Sequence, residues 1–315
     1  MKVKLFTHTD LDGVGCAILA KNEAFADVDI EYCDYNNVNE KIKTFIENNE
    51  WVRYDFVYIT DISINEEVAE LISNTQPDCF RNGFKLAEMF QLLDHHPTAL
   101  YLNKYYWCKV CIEENGEKTS GTRMFYDYLI ENKYIDKSSP WNKSLFKFVE
   151  TVKRYDTWLW KEKYNDDTPK KWNDLLYIYG RNRFVEKVCE KLDNNTTLLD
   201  MTDITLLELN QEKIDKYIDS KQKQIIEKDI LGYRAGIIFA EQYHSEVGNT
   251  LAINNPHLDF IVLIDPSYSV SYRTVKDIDL GKDIAKVYGG GGHPKAAGSP
   301  ISDEIKNKII DIMFN

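Results

Sequence analysis

No stretch of this 315-residue chain is apolar over the roughly 20 residues that a membrane-crossing helix needs. Its first residues run straight into a strand-like segment, with none of the charged and apolar zones of a secretory leader. A cytoplasmic location is the expectation. Positive charge is also in short supply: 39 Lys and Arg face 51 Asp and Glu, for a formal net charge of −12. Residues 230–315 carry 8 basic side chains against 10 acidic ones, and residues 1–229 carry 31 against 41. A protein that holds long nucleic acid without regard to sequence needs a basic face that displaces counterions from many phosphates. That function class is excluded here. A short phosphate chain, held through cations and a few placed Arg or Lys side chains, is not. Cysteine is scarce too. Of Cys16, Cys33, Cys79, Cys108, Cys111 and Cys189, only Cys108 and Cys111 have C-x-x-C spacing, and the second pair of a zinc ribbon is missing. Reduced, structural cysteines are expected, rather than redox or metal-binding ones. Internal repeats and low-complexity tracts are absent.

What the sequence does have is alternation. Strand-like runs at 3–8, 28–34, 56–61, 89–94 and 105–112 are separated by helical patterns at 13–25, 38–50 and 65–74, and another follows at 121–135. This predicts an α/β fold with a doubly wound, mainly parallel sheet. Residues 75–88, with Pro77 and Gly83, read as a loop. Helical patterning from Trp141 to about Leu192 brings in Trp158, Trp160 and Trp172, whose expected role is core packing. Residues 203–229 contain neither Gly nor Pro and predict a charged, semi-rigid helical linker. The expected organisation is therefore a first domain over 1–202, a linker over 203–229 and a smaller α/β domain over 230–315. Apolar strands are expected in the last at 235–240, 260–264 and 268–273, and helices from His244, at 281–288 and at 302–313.

Polar side chains collect where these strands end. His8, Asp10 and Asp12 follow the first strand, Asp61 ends another, Asp94-His95-His96 ends a third, and Asp156 closes a helical run. In open α/β sheets ligand sites gather at the carboxyl ends of strands. Spacing by two puts alternate side chains on one side of an extended backbone. An imidazole with carboxylates suits a hard or borderline divalent cation such as Mn²⁺ or Mg²⁺. Read alone, the first stretch is equally a polar turn with Asp12 as a helix cap. Unpaired carboxylates at several buried sheet ends are harder to explain as structure, because burying them is costly. The run Gly289–Gly292 before His293 could either form a backbone anion nest or serve as a plain structural turn. Arg273, on a strand, is a fork-shaped phosphate donor.

In their order along the chain, His8-Thr9-Asp10-Leu11-Asp12-Gly13, Asp61, Asp94-His95-His96 and Asp156 resemble the DHH phosphoesterases. The block from Gly289 to Gly298 resembles the RNA-binding domain associated with many of them. The likeness is nearest to the short-oligonucleotide hydrolases called nanoRNases, in their NrnB-like branch. It implies two divalent ions, Mn²⁺ with Mg²⁺ as the alternative. His8 and Asp10 would hold one, Asp12, His95 and Asp156 the other, and Asp61 would bridge both. It further implies that His96 contacts the scissile phosphate or assists the leaving group, that Asp94 orients a neighbouring imidazole, and that Arg273, Gly290, Gly291, Gly292 and His293 bind substrate. The activity implied is hydrolysis of short RNA or DNA oligonucleotides or linear dinucleotides to mononucleotides. Dephosphorylation of 3′-phosphoadenosine 5′-phosphate and non-catalytic nucleotide sensing are the alternatives on the same fold. A RecJ-like exonuclease acting on long strands would need further domains, and an inorganic pyrophosphatase would lack the glycine block.

Overall fold

The structure, a computed structural model, describes residues 1–76, 85–139, 142–267 and 269–314. Most of the loop expected at 75–88, together with Trp141 and Tyr268, lies outside the described residues. The chain divides into two compact units, Met1–Leu207 and Glu208–Asn315.

In the first unit, strand β1 (Lys2–Thr7), helix α1 (Leu11–Leu19), β2 (Asp27–Tyr32), α2 (Val38–Glu47), β3 (Phe56–Thr60), α3 (Glu66–Asn74), β4 (Phe90–Asp94) and β5 (Cys108–Val110) follow in turn. The strands form one sheet in the order β2-β1-β3-β4-β5, and every pairing is parallel. Such a sheet must be covered on both faces, which is why β1, β3 and β4 are almost wholly buried. A two-stranded hairpin, β6 (Glu113–Glu114) and β7 (Glu117–Lys118), precedes α4 (Gly121–Glu131), α5 (Asn142–Asp156), α6 (Leu159–Glu162), α7 (Thr168–Tyr179) and α8 (Arg181–Asp193). Val3, Leu5, Tyr58 and Leu93 pack on one face with α1, α4, α5, α7 and α8. Phe6, Ile59 and Leu92 pack on the other with α2 and α3. The strand order reverses between β1 and β3, and their carboxyl ends flank that switch point.

The single helix expected over 203–229 is corrected. Helix α9 runs Met201–Gln222, and Ile226–Ile230 is strand β8. The first turn of α9 is anchored in the first unit, where the buried Asp203 accepts from the Tyr179 hydroxyl (2.8 Å) and pairs with Lys191 (2.9 Å). Further along, Ile214 and Ile218 are buried in the core of the second unit. The second unit continues with β9 (Tyr233–Phe239), α10 (His244–Asn254), β10 (Phe260–Asp265), β11 (Ser269–Arg273), β12 (Gly291–His293), β13 (Ala296–Pro300) and α11 (Asp303–Phe314). Its sheet has the order β12-β13-β11-β10-β9-β8, with only β9 and β10 parallel. Among the described residues no helix is long and apolar enough to cross a membrane.

Of the three tryptophans expected in the core, Trp172 is buried, whereas Trp158 is 56% exposed. Helical periodicity marked the region as amphipathic, but α5 ends at Asp156 and the chain turns there, carrying Trp158 outward.

Candidate metal centre

The site is built where β1, β3 and β4 end. The Thr7 hydroxyl donates to the Gly13 carbonyl (2.9 Å) and accepts from Thr60 (2.9 Å), tying the ends of β1 and β3 together. The cap of α1 is Asp10, whose carboxylate accepts from the Gly13 N–H at 3.1 Å. This corrects the reading of Asp12 as the cap. Asp12 instead turns inward and accepts from the Gly121 and Thr122 N–H groups at 2.5 and 2.9 Å. These are the first residues of α4, so a helix N-terminus stabilises the buried carboxylate. Asp61 is fully buried and sits in the left-handed backbone region, φ 56°. A Cβ on Gly121 would overlap its side chain, so this close approach requires glycine.

The side chains form two clusters that meet at Asp61. His8 Nδ1 lies 2.9 Å from Asp10 Oδ2 and 3.9 Å from Asp61 Oδ2. His95 Nε2 lies 3.3 Å from Asp61 Oδ1, 3.6 Å from Asp12 Oδ2 and 3.5 Å from Asp156 Oδ2. The two oxygens of Asp61 thus face different clusters. His8 Nδ1, Asp61 Oδ2 and His95 Nε2 are buried and make no aligned hydrogen bond. Buried polar atoms are ordinarily satisfied. Three such atoms among carboxylates and imidazoles make a donor set that fits a divalent metal.

Electrostatics agree. Burial, reinforced by the charges of Asp12 and Asp10, pushes the Asp61 carboxyl well above the usual range. The same causes push Asp156 up to about 8. For Asp10, burial acts upward but is outweighed by His8 and the Gly13 N–H, which hold it below its ordinary value.

Asp94 and His96 form a further group with Asp61 and His95 beside these two clusters. Asp94 Oδ1 accepts from the His95 N–H (2.8 Å) and lies 2.8 Å from His96 Nδ1, while Oδ2 accepts from the Ser63 hydroxyl. The imidazole that Asp94 orients is therefore His96. Its other nitrogen, Nε2, lies 3.1 Å from the Tyr35 hydroxyl. The bond to Asp94 raises the His96 pKa against the opposing effect of burial. Tyr35, 55% exposed, also packs its ring on His8 at 5.1 Å. Sequence reasoning missed Tyr35 and Ser63. The available signal was that Tyr35 follows the second strand, at the same sheet edge as His8.

In the second unit, Ala296 on β13 is directly opposite Arg273 on one side and His293 on the other. Directly opposed residues of antiparallel strands share a face, so Arg273 and His293 flank a small residue about 10 Å apart across two strand spacings. Arg273 donates to the Tyr272 carbonyl (2.9 Å) and to Ser245 (3.4 Å) in the first turn of α10. The glycine run, read from sequence as an anion nest or a plain turn, is extended from Gly291 onward. Gly291 to His293 are a paired strand, and the Gly290 N–H donates to the Ala285 carbonyl at 2.8 Å. A side chain at Gly290 would strike the Gly298 backbone, so close strand packing accounts for that glycine. Among the described residues no cysteine is in a disulfide, and burial pushes the Cys108 thiol up to about 12.

No family model matches the chain. Oligoribonuclease NrnB of Bacillus subtilis (strain 168) is 39% identical over 314 residues, covering 98% of this chain and 75% of the relative. The chain belongs to the DHH phosphoesterase family. A 3′,5′-cyclic-nucleotide phosphodiesterase of Helicobacter pylori (strain ATCC 700392 / 26695) is 21% identical, covering 100% of this chain and 99% of that one. The solved structure of the exonuclease RecJ bound to manganese shares the fold, with a TM-score of 0.50, 17% identity, and coverage of 98% of this chain and 88% of that one. The DHH signature itself is Asp94-His95-His96 at the end of β4.

Proposed function

We propose that this DHH protein is a metal-dependent phosphodiesterase that hydrolyses short oligonucleotides or linear dinucleotides to mononucleotides. The observation that carries the reading is Asp61, whose two oxygens face separate His-and-carboxylate clusters. The oligoribonuclease relative supports the substrate class. His8 and Asp10 would hold one divalent cation, Asp12, His95 and Asp156 a second, and Asp61 both, with Mn²⁺ favoured over Mg²⁺ by the two imidazoles. Such cations, when bound, supply water activation and charge neutralisation at phosphorus. The chain's own residues do the rest. Asp94 fixes the ring of His96 through Nδ1, which leaves Nε2 to place a proton on a phosphoryl or leaving oxygen. Tyr35 holds that nitrogen until substrate arrives. Buried N–H groups of Gly121 and Thr122 fix the orientation of the Asp12 carboxylate.

Substrate length tests this reading. The acidic surface disfavours long polyanions, so labelled di- to pentanucleotides are expected to be cut about tenfold faster than an oligomer of about twenty nucleotides, the rate equivalent of ~1.4 kcal/mol. Equal rates at all lengths would refute the short-substrate assignment.

Arg273 and His293 act as the grip on the phosphate backbone, with Gly290, Gly291 and Gly292 as the thin edge against which it lies. Their shared face supports this. A charge-assisted hydrogen bond contributes about 1.5–3 kcal/mol. Arg273→Ala is therefore expected to lower kcat/KM on a dinucleotide by roughly 10- to 150-fold while sparing bis(p-nitrophenyl) phosphate, which has no second phosphate. Equal loss on both substrates, with folding intact, would move Arg273 into the chemical step.

A further inference from the structure

The chain turns sharply just past Asp156, and the turn exposes an aromatic stack. Trp158 lies over Trp160 with centroids 5.8 Å apart and planes 26° from parallel, and Trp160 lies over Tyr155 at 6.5 Å and 18°. Trp158 is the outer ring and is 56% exposed. Its backbone is held in the left-handed region, φ 63°, where a bulky side chain is disfavoured and Gly or Asn is usual. The position is nonetheless rigid, because the Trp158 carbonyl accepts from both the Lys161 and Glu162 N–H groups at 3.1 Å. Core packing does not call for this ring, since most of it faces solvent. Strain of this kind persists only where the surrounding structure over-determines it, and it clusters at functional sites. Two residues earlier in the chain, Asp156 Oδ2 stands 3.5 Å from His95, in the cluster assigned to phosphodiester chemistry.

The geometry points to Trp158 as a stacking platform for a nucleobase adjoining the scissile phosphate, a subsite that rests on the oligonucleotide reading above. The occupant is a base rather than another phosphate. A flat ring already backed by two near-parallel rings extends naturally by one more aromatic layer. Stacking reads no base edge, so the platform takes every base and favours purines by ring area.

The test compares wild type, Trp158→Ala and Trp158→Phe on the dinucleotide pApA and on the same backbone with both bases replaced by hydrogen. By the usual effect of removing one stacking side chain, Trp158→Ala is expected to raise KM for pApA about 5- to 150-fold with kcat little changed. Trp158→Phe should recover most of that loss, and the base-free substrate should not distinguish wild type from Trp158→Ala. A loss equal on both substrates, a fall in kcat alone, or no change would overturn the platform. If wild type hydrolyses neither substrate, the oligonucleotide reading fails and binding decides the platform separately. Tryptophan quenching by phosphorothioate-linked pApA, present in wild type and lost in Trp158→Phe, would uphold it, and identical or absent quenching would refute it.

Discussion

In excess EDTA, hydrolysis of a dinucleotide is expected to fall by about a thousandfold or more, since metal-assisted charge stabilisation supplies several kcal/mol. Mn²⁺ should restore it well and Ca²⁺ poorly. Calcium favours six to eight oxygen ligands in a loose shell, whereas His8 and His95 place nitrogen in both clusters. Thermal stability should respond as well. His8 Nδ1, Asp61 Oδ2 and His95 Nε2 make no aligned hydrogen bond and would gain a partner in a bound cation, and a ligand at a hundred times its Kd stabilises by about 2.7 kcal/mol. The check is turnover and the melting midpoint, each measured in EDTA and after readdition of metal. Full activity in EDTA would sink the metal mechanism.

The second large effect is expected at Asp61. Asn fits the left-handed backbone as well as Asp does, so Asp61→Asn preserves the turn while removing the one carboxylate that faces both clusters. Loss of activity should approach that of metal removal, about a thousandfold, and exceed that of Asp94→Asn. Stability without metal should move the opposite way, because the cost of burying an acid beside Asp12 and Asp10, met in part by taking up a proton on folding, disappears. The pH dependence follows from the same groups. A carboxyl whose folded pKa is raised binds its proton more tightly in the folded state, so its stabilising contribution is complete below the unfolded value near 4 and is lost as pH rises to the folded value. Asp156, pushed up to about 8 by burial and by Asp12 and Asp10, sets that window. The metal-free protein is therefore expected to melt lower at pH 8 than at pH 6, and Asp61→Asn should flatten the slope by removing a second carboxyl whose folded pKa is raised. Denaturation in EDTA at both pH values measures this. A well-folded Asp61→Asn protein with near-normal turnover would overturn the bridging role.

Strand-and-helix alternation and the acid and imidazole residues at strand ends were legible in the sequence alone, because both are local properties. A period of two or 3.6 residues reports which side chains face inward, and a polar residue after an apolar run marks where a strand stops. Those signals sufficed for the parallel sheet and for His8, Asp10, Asp61 and Asp94-His95-His96 at its edge. Tertiary structure decided what depends on residues far apart in the chain. Asp12 is fixed by amides 109 and 110 residues away, and Tyr35 reaches His96 across 61 residues. Neither contact leaves a periodic trace. The glycines before His293 look the same in sequence whether they cradle an anion or line a tight strand pair, and only the pairing with β13 distinguishes these. Trp158 had the apolar character of a core residue, but where the chain turns is set by what packs around the end of α5. That placed the ring outside the core, two residues beyond Asp156.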